Sequence, residues 1–100
     1  MSIWTLQTQE ETGTYMFNGR LYATAAIAET LSPSEISQII SAVRQRVAEQ
    51  NGADYLFVFT NDEDVRIFVI DQLNLEMKAA ASHDWVAQND IVTILFASEY

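Results

Sequence analysis

Ile36, Ile39, Ile40, Val43 and Val47 recur at the three- and four-residue spacing of one helical stripe, with polar residues filling most of the gaps. The flanking residues agree with that pattern. In Ser32-Pro33-Ser34-Glu35, Ser32 caps a helix, Pro33 takes its first position, and Glu35 reaches back to the cap amide. Leu31 and Ile36 hold the two positions of a hydrophobic staple, and Asn51-Gly52 supplies the stop. The pattern predicts one long amphipathic helix over about 33–50. Its back, Ser34, Ser37, Gln38, Ser41 and Gln45, is polar but nearly uncharged.

Elsewhere β-branched and aromatic residues dominate short runs. Asp54–Thr60 and Val65–Ile70 are joined by the turn Asn61–Asp64 and predict a hairpin. Asn18-Gly19 lies between strand-like runs at 14–17 and 20–27 and predicts another, with both turn residues at positive φ. On its second strand Leu21, Ala23, Ala25 and Ile27 share a face. Residues 3–7 alternate weakly, so 1–13 reads as an N-terminal arm or short edge strand. Residues 73–82 favour a short helix. Trp85-Val86 and Ile91–Phe96 read as strands with Asn89-Asp90 in the turn, a helix running through to Gln88 being the alternative. The predicted fold is a single α+β domain of order ββαββ(α)ββ. It is an antiparallel sheet of two or three hairpins with the long helix packed on one face.

The 55–70 hairpin is apolar on both faces. Tyr55, Phe57 and Phe59 alternate with Leu56 and Val58, while Val65, Ile67 and Val69 alternate with Phe68 and Ile70. One helix covers one face. The second needs the 73–82 segment, the arm carrying Trp4, or another chain. The candidate interaction surface is therefore Phe57 with Phe59, or Phe68 with Ile70, and a homodimer is one way to bury it.

Length and charge narrow the class. One hundred residues make one domain with a real core. Fourteen acids against five bases give −9 at pH 7. The imbalance concentrates in residues 51–100, with nine acids and two bases. Such a chain is repelled by phosphate backbones and anionic lipid, so neither nucleic acid nor membrane is expected as a direct partner. There is no Cys and one His, which removes disulfides, thiolate metal sites and Cys nucleophiles. No secretory signal and no run of 18 apolar residues is present, so the expected location is the cytoplasm.

Catalytic patterns are sparse. Three isolated Gly form no phosphate loop. His83-Asp84 is the one His–carboxylate neighbour pair and reads as a surface turn. Asp62, Glu63 and Asp64 lack the ligand spacing of a calcium loop and read as a solvated turn, or as acids offered to a basic partner. Asp54, Asp71 and Glu99 are carboxylates that the fold could bring together. No cofactor, metal or catalytic residue is expected.

A resemblance covers about residues 19–100. Arg20, Tyr22, Thr24 and Ile27, then Asp54-Tyr55-Leu56 with Val58-Phe59, then Trp85-Val86, and finally Thr93, Leu95, Glu99 and Tyr100 are similar to the pattern of a small bacterial family, numbered 960 among domains of unknown function. Where that family usually carries Gln after the Asp-Tyr-Leu step, this chain has Phe57. The resemblance implies a compact α+β domain of bacteria or their mobile elements, a hairpin over Trp85–Phe96 and a docked C-terminal tail. It carries no activity. The expected function is a non-catalytic acidic interaction protein, an accessory factor of a bacterial or mobile-element genome. The alternatives are an acidic inhibitor imitating nucleic acid against a defence or DNA-handling protein, and an uncharacterised enzyme.

Overall fold

The computed structural model describes residues 3–100; the single-domain reading as it concerns residues 1 and 2 lies outside the described residues. Five strands form one sheet: β1 (Thr5–Leu6), β2 (Arg20–Ala23), β3 (Leu56–Thr60), β4 (Arg66–Asp71) and β5 (Ile91–Phe96). Their order across the sheet is β1-β3-β4-β5-β2. The helices are α1 (Ala25–Thr30), α2 (Pro33–Gln50), α3 (Leu75–Ala80) and α4 (His83–Asn89), and a 3₁₀ turn at Ala97–Glu99 closes the chain.

Helix α2 forms where the pattern predicts it. The Ser32 side chain accepts from the Glu35 amide at 3.1 Å and the Glu35 carboxylate accepts from the Ser32 amide at 3.1 Å. That amide holds the Glu35 carboxyl below its usual range. At the far end Asn51 adopts the left-handed conformation (φ 57°), and Gly52 at φ 116° takes a conformation that side chains resist. Ile39, Ile40, Val43 and Val47 are buried, with Ile36 packed at the margin. They join Phe57, Phe59, Ile67, Val69, Val92 and Ile94 in one cluster, so α2 lies on one face of the sheet. Phe17 closes it with an edge-to-face contact on Phe57 at 5.0 Å.

The β3–β4 hairpin also matches. Asn61 Oδ1 accepts from the amides of Glu63 and Val65, and Asp64 supplies the positive φ of 63° that the turn needs. The edge strand near residue 5 pairs antiparallel with β3, and α3 lies within the predicted 73–82.

Three expectations fail. Asn18-Gly19 does not make a hairpin. Residues 14–17 contribute one isolated bridge, Tyr15 to Ala53, and the positive φ falls on Phe17 at 52°. Gly19 serves a close approach instead, since a side chain there would strike the Asp90 carbonyl. Second, the strand ends at Ala23. Thr24 accepts from the Ile27 amide at 3.3 Å and starts α1, so Ala25 and Ile27 are helical. Third, Trp85-Val86 is helix and the Trp85–Phe96 hairpin is absent; the alternative of a helix running through to Gln88 is met only in part, because the segment breaks at Ala81-Ser82 into α3 and α4. Ser82 caps it by accepting from the Trp85 amide at 3.2 Å. The order becomes ββααββααβ, and the sheet is mixed because β2 runs parallel to β5.

The capping box makes a prediction. Ser32→Ala should lower stability by about 1 kcal/mol, shifting the thermal midpoint down by roughly 4–8 °C for a domain of this size. An unchanged midpoint in a calorimetric scan would count against the capping geometry.

Candidate functional site

The pleat sorts the strand residues into two faces. Phe57, Phe59, Ile67, Val69, Val92 and Ile94 face α2 and are at most 2 % exposed. The opposite face is built in cross-strand rows. One runs Val58–Phe68–Leu95 and the next runs Leu56–Ile70–Thr93–Tyr22. Thr60 and Arg66 flank the first row, and Ile91 with Arg20 flanks the second.

None of the described helices caps this outer face. The Trp4 arm closes the other side: Trp4 packs on the core, with Nε1 3.4 Å from Glu35 Oε2 at the start of α2. Helix α3 is tied to the loop before β2. Leu75 donates its amide to Thr14 O at 3.1 Å, and Lys78 reaches Asn18 at 2.9 Å and Asp90 at 3.0 Å. Neither intramolecular cover considered from sequence lies over the face. Leu56, Val58, Phe68, Ile70 and Leu95 stay half-buried and Tyr22 is 57 % exposed. The chain end contributes a partial rim. Glu99 accepts from the Phe96 amide at 2.7 Å and from the Thr24 hydroxyl at 3.0 Å, and Tyr100 meets Phe68 edge-on at 5.6 Å. Glu99 ties down the last turn, while Tyr100 stays 75 % exposed.

The predicted interaction residues divide. Phe68 and Ile70 lie on the open face. Phe57 and Phe59 do not: they are core residues under α2, because the helix stripe selects the face richer in aromatic volume. Asp62, Glu63 and Asp64 are exposed in the β3–β4 turn, at one end of the sheet. The outer face carries no carboxylate on its strands, yet holds Arg20 and Arg66, two of the five basic residues. From the sequence, Arg20 enters only through the family resemblance, and neither arginine is assigned to a binding surface. Their place at alternate strand positions was the available signal.

The other candidate acids do not gather. Asp54 accepts from its neighbour Tyr55's amide at 2.9 Å, and Glu99 is engaged with Thr24. His83 and Asp84 are exposed in the first turn of α4. Asp71, by contrast, is a buried carboxylate. It accepts from the Phe17 amide at 2.9 Å and the Leu73 amide at 3.4 Å. Burial pushes its carboxyl above the ordinary value, although both amides pull it down; Lys78 also lowers it and Asp90 raises it. Its bonds are local and hold the Phe17 loop. No helix of the described residues is long and apolar enough to cross a membrane. Compared with family models, curated proteins and solved structures, the chain finds no match.

Asp71→Ala would leave the buried Phe17 amide without its acceptor and should cost about 1–3 kcal/mol. The pH dependence has a definite sign. A carboxyl whose folded value is raised stabilises the fold fully below its unfolded value, and that contribution is lost as pH rises through the folded value. Wild type should therefore gain stability relative to Asp71→Asn as pH falls from neutrality through the carboxylate range. Urea midpoints of the two proteins at several pH values test this, and a constant difference would count against it.

Proposed function

We propose that this chain is a non-catalytic acidic interaction protein that holds a protein partner on its open sheet face. The supporting observation is the set of half-buried apolar rows over β3, β4 and β5, with no described layer above them. Contiguous apolar surface of this kind marks binding sites in soluble proteins. An apolar strip whose strands present no carboxylate, with an arginine near each end, fits a partner segment that is apolar with an acidic flank. Work in a bacterial cytoplasm, as an accessory factor of the host or a mobile element, belongs to the same reading and rests on the family resemblance.

The alternative, imitation of nucleic acid, calls for acids along one ridge. Here they are spread over the loop before β2, α1, α2, the residues before β3, the β3–β4 turn, the end of β4, α3, α4, the residue before β5 and the chain end. This arrangement fits solubility better.

Two variants separate the readings. One replaces Val58 and Ile70 by Glu; the other replaces Asp62, Glu63 and Asp64 by Asn, Gln and Asn. With each as bait, captured proteins are identified by mass spectrometry and their affinity is measured. The face variant should lose the wild-type partner while keeping its circular dichroism spectrum; the turn variant should keep it. Binding that survives the face change but collapses with the turn change, or with salt, would replace this reading by mimicry.

A further inference from the structure

We propose that the outer edge of β2 is a self-association edge, on which a second copy lays its own β2 antiparallel to make one ten-stranded sheet. The proposal is independent of what the open face binds.

Strand β2 ends the sheet on its side, with β5 as its one partner. Arg20 and Thr24 donate their amides to Asp90 O at 2.9 Å and Ile94 O at 3.1 Å. The two-residue period therefore turns the N–H and C=O groups of Leu21 and Ala23 outward, and among the described residues nothing bonds them. Edges that must stay single are usually blunted by Pro, Lys or a bulge. The run Arg20-Leu21-Tyr22-Ala23 has none of these three; it is short and its one charge, Arg20, lies at its start, while Leu21 is exposed by 41 % and Tyr22 by 57 %.

The charges select a second copy as the occupant. With all the pairing kept inside Arg20–Ala23, the register that engages both free amides of each copy sets Leu21 opposite Ala23 and places Tyr22 opposite itself on the two-fold axis. Arg20 then lies opposite Thr24 of the second copy, whose hydroxyl is bonded to Glu99 at 3.0 Å. In its own chain Arg20 meets a carbonyl, Gln88 O at 3.1 Å, and makes no ion pair among the described residues. Pairing brings its guanidinium beside the Glu99 carboxylate, twice per dimer. Like strands satisfy this arrangement by symmetry, and it offsets part of the repulsion between two chains of net charge −9.

The chain has no Cys, so a single cysteine reports the contact. Across the axis the Tyr22 positions fall in a non-hydrogen-bonded pair, with Cα atoms about 4.5 Å apart, inside the disulfide range. Tyr22→Cys under mild oxidation should form a covalent dimer of twice 11.3 kDa at low micromolar concentration. Phe68→Cys on the open face and Thr8→Cys should link only slowly. Leu21→Pro, which removes a free amide and no bond of its own sheet, should sediment as a folded monomer. If that variant does not fold, Arg20→Glu substitutes for it and should weaken the dimer by at least about tenfold, setting like charges together at both sites. The proposal is overturned if wild type sediments as a monomer at high micromolar concentration. It is equally overturned if Tyr22→Cys links no faster than the controls, or if folded Leu21→Pro or Arg20→Glu leaves the dimer intact.

Discussion

The packing of a single amphipathic helix against one face of the sheet is the contact on which the rest of this molecule depends. Val43 and Val47 of α2 meet the layer of Phe57, Phe59, Ile67, Val69, Val92 and Ile94, and these residues form most of the core. Burial at this seam is the main source of stability in a chain with few other means of holding itself together. There is no disulfide, and one ion pair occurs among the described residues. But α3 and α4 bury no residue of their own, and they sit by the loop before β2 rather than across the sheet. With one covering helix and two apolar faces, an open face is the necessary result.

A second constraint operates inside the core. Phe17 must enter it from a loop, and it does so with a positive φ that a non-glycine residue adopts reluctantly. The Asp71 carboxylate meets the Phe17 amide and fixes that geometry. Burying a carboxylate is unfavourable, and its raised proton affinity is the mark of that cost. Two amides and the nearby Lys78 offset it. The arrangement joins the end of β4 to the loop before β2, two places more than fifty residues apart in the chain.

What could be read from the sequence follows the range of the interactions. Helix α2 and the β3–β4 hairpin are specified by neighbours: a capping box, a periodic stripe, an Asx turn. The pairing of β2 with β5 joins Arg20 to Ile91 across some seventy residues, and no local signal reports such a partner. Asn18-Gly19 has the composition of a hairpin turn, yet Gly19 is there because Asp90 passes too close for a side chain. Helices α1 and α4 were hidden for a different reason. Their caps, Thr24 and Ser82, were in view, but β-branched and aromatic residues beside them read as strand. The two-faced apolar hairpin was legible; which face the helix would take was not. That choice separated Phe57 and Phe59 from Phe68 and Ile70.

The charge distribution and the open face bear on each other. Repulsion between acidic chains acts over roughly 8 Å at physiological salt, so it opposes random encounters more than it opposes one close and complementary contact. Apart from the buried Asp71 of β4, the acids lie outside the strands, which keep carboxylates off the outer face and place Arg20 and Arg66 there. Helix α2, which covers the other face, carries two acids and two arginines and is close to neutral. A partner approaching the sheet side meets apolar rows between two cations. Such a surface discourages nonspecific stacking of copies through most of its area and leaves one side on which a matched neighbour gains both burial and charge contact. On the proposed reading, it is the apolar rows and the two cations of the uncovered sheet face, rather than the acids, that supply its selectivity.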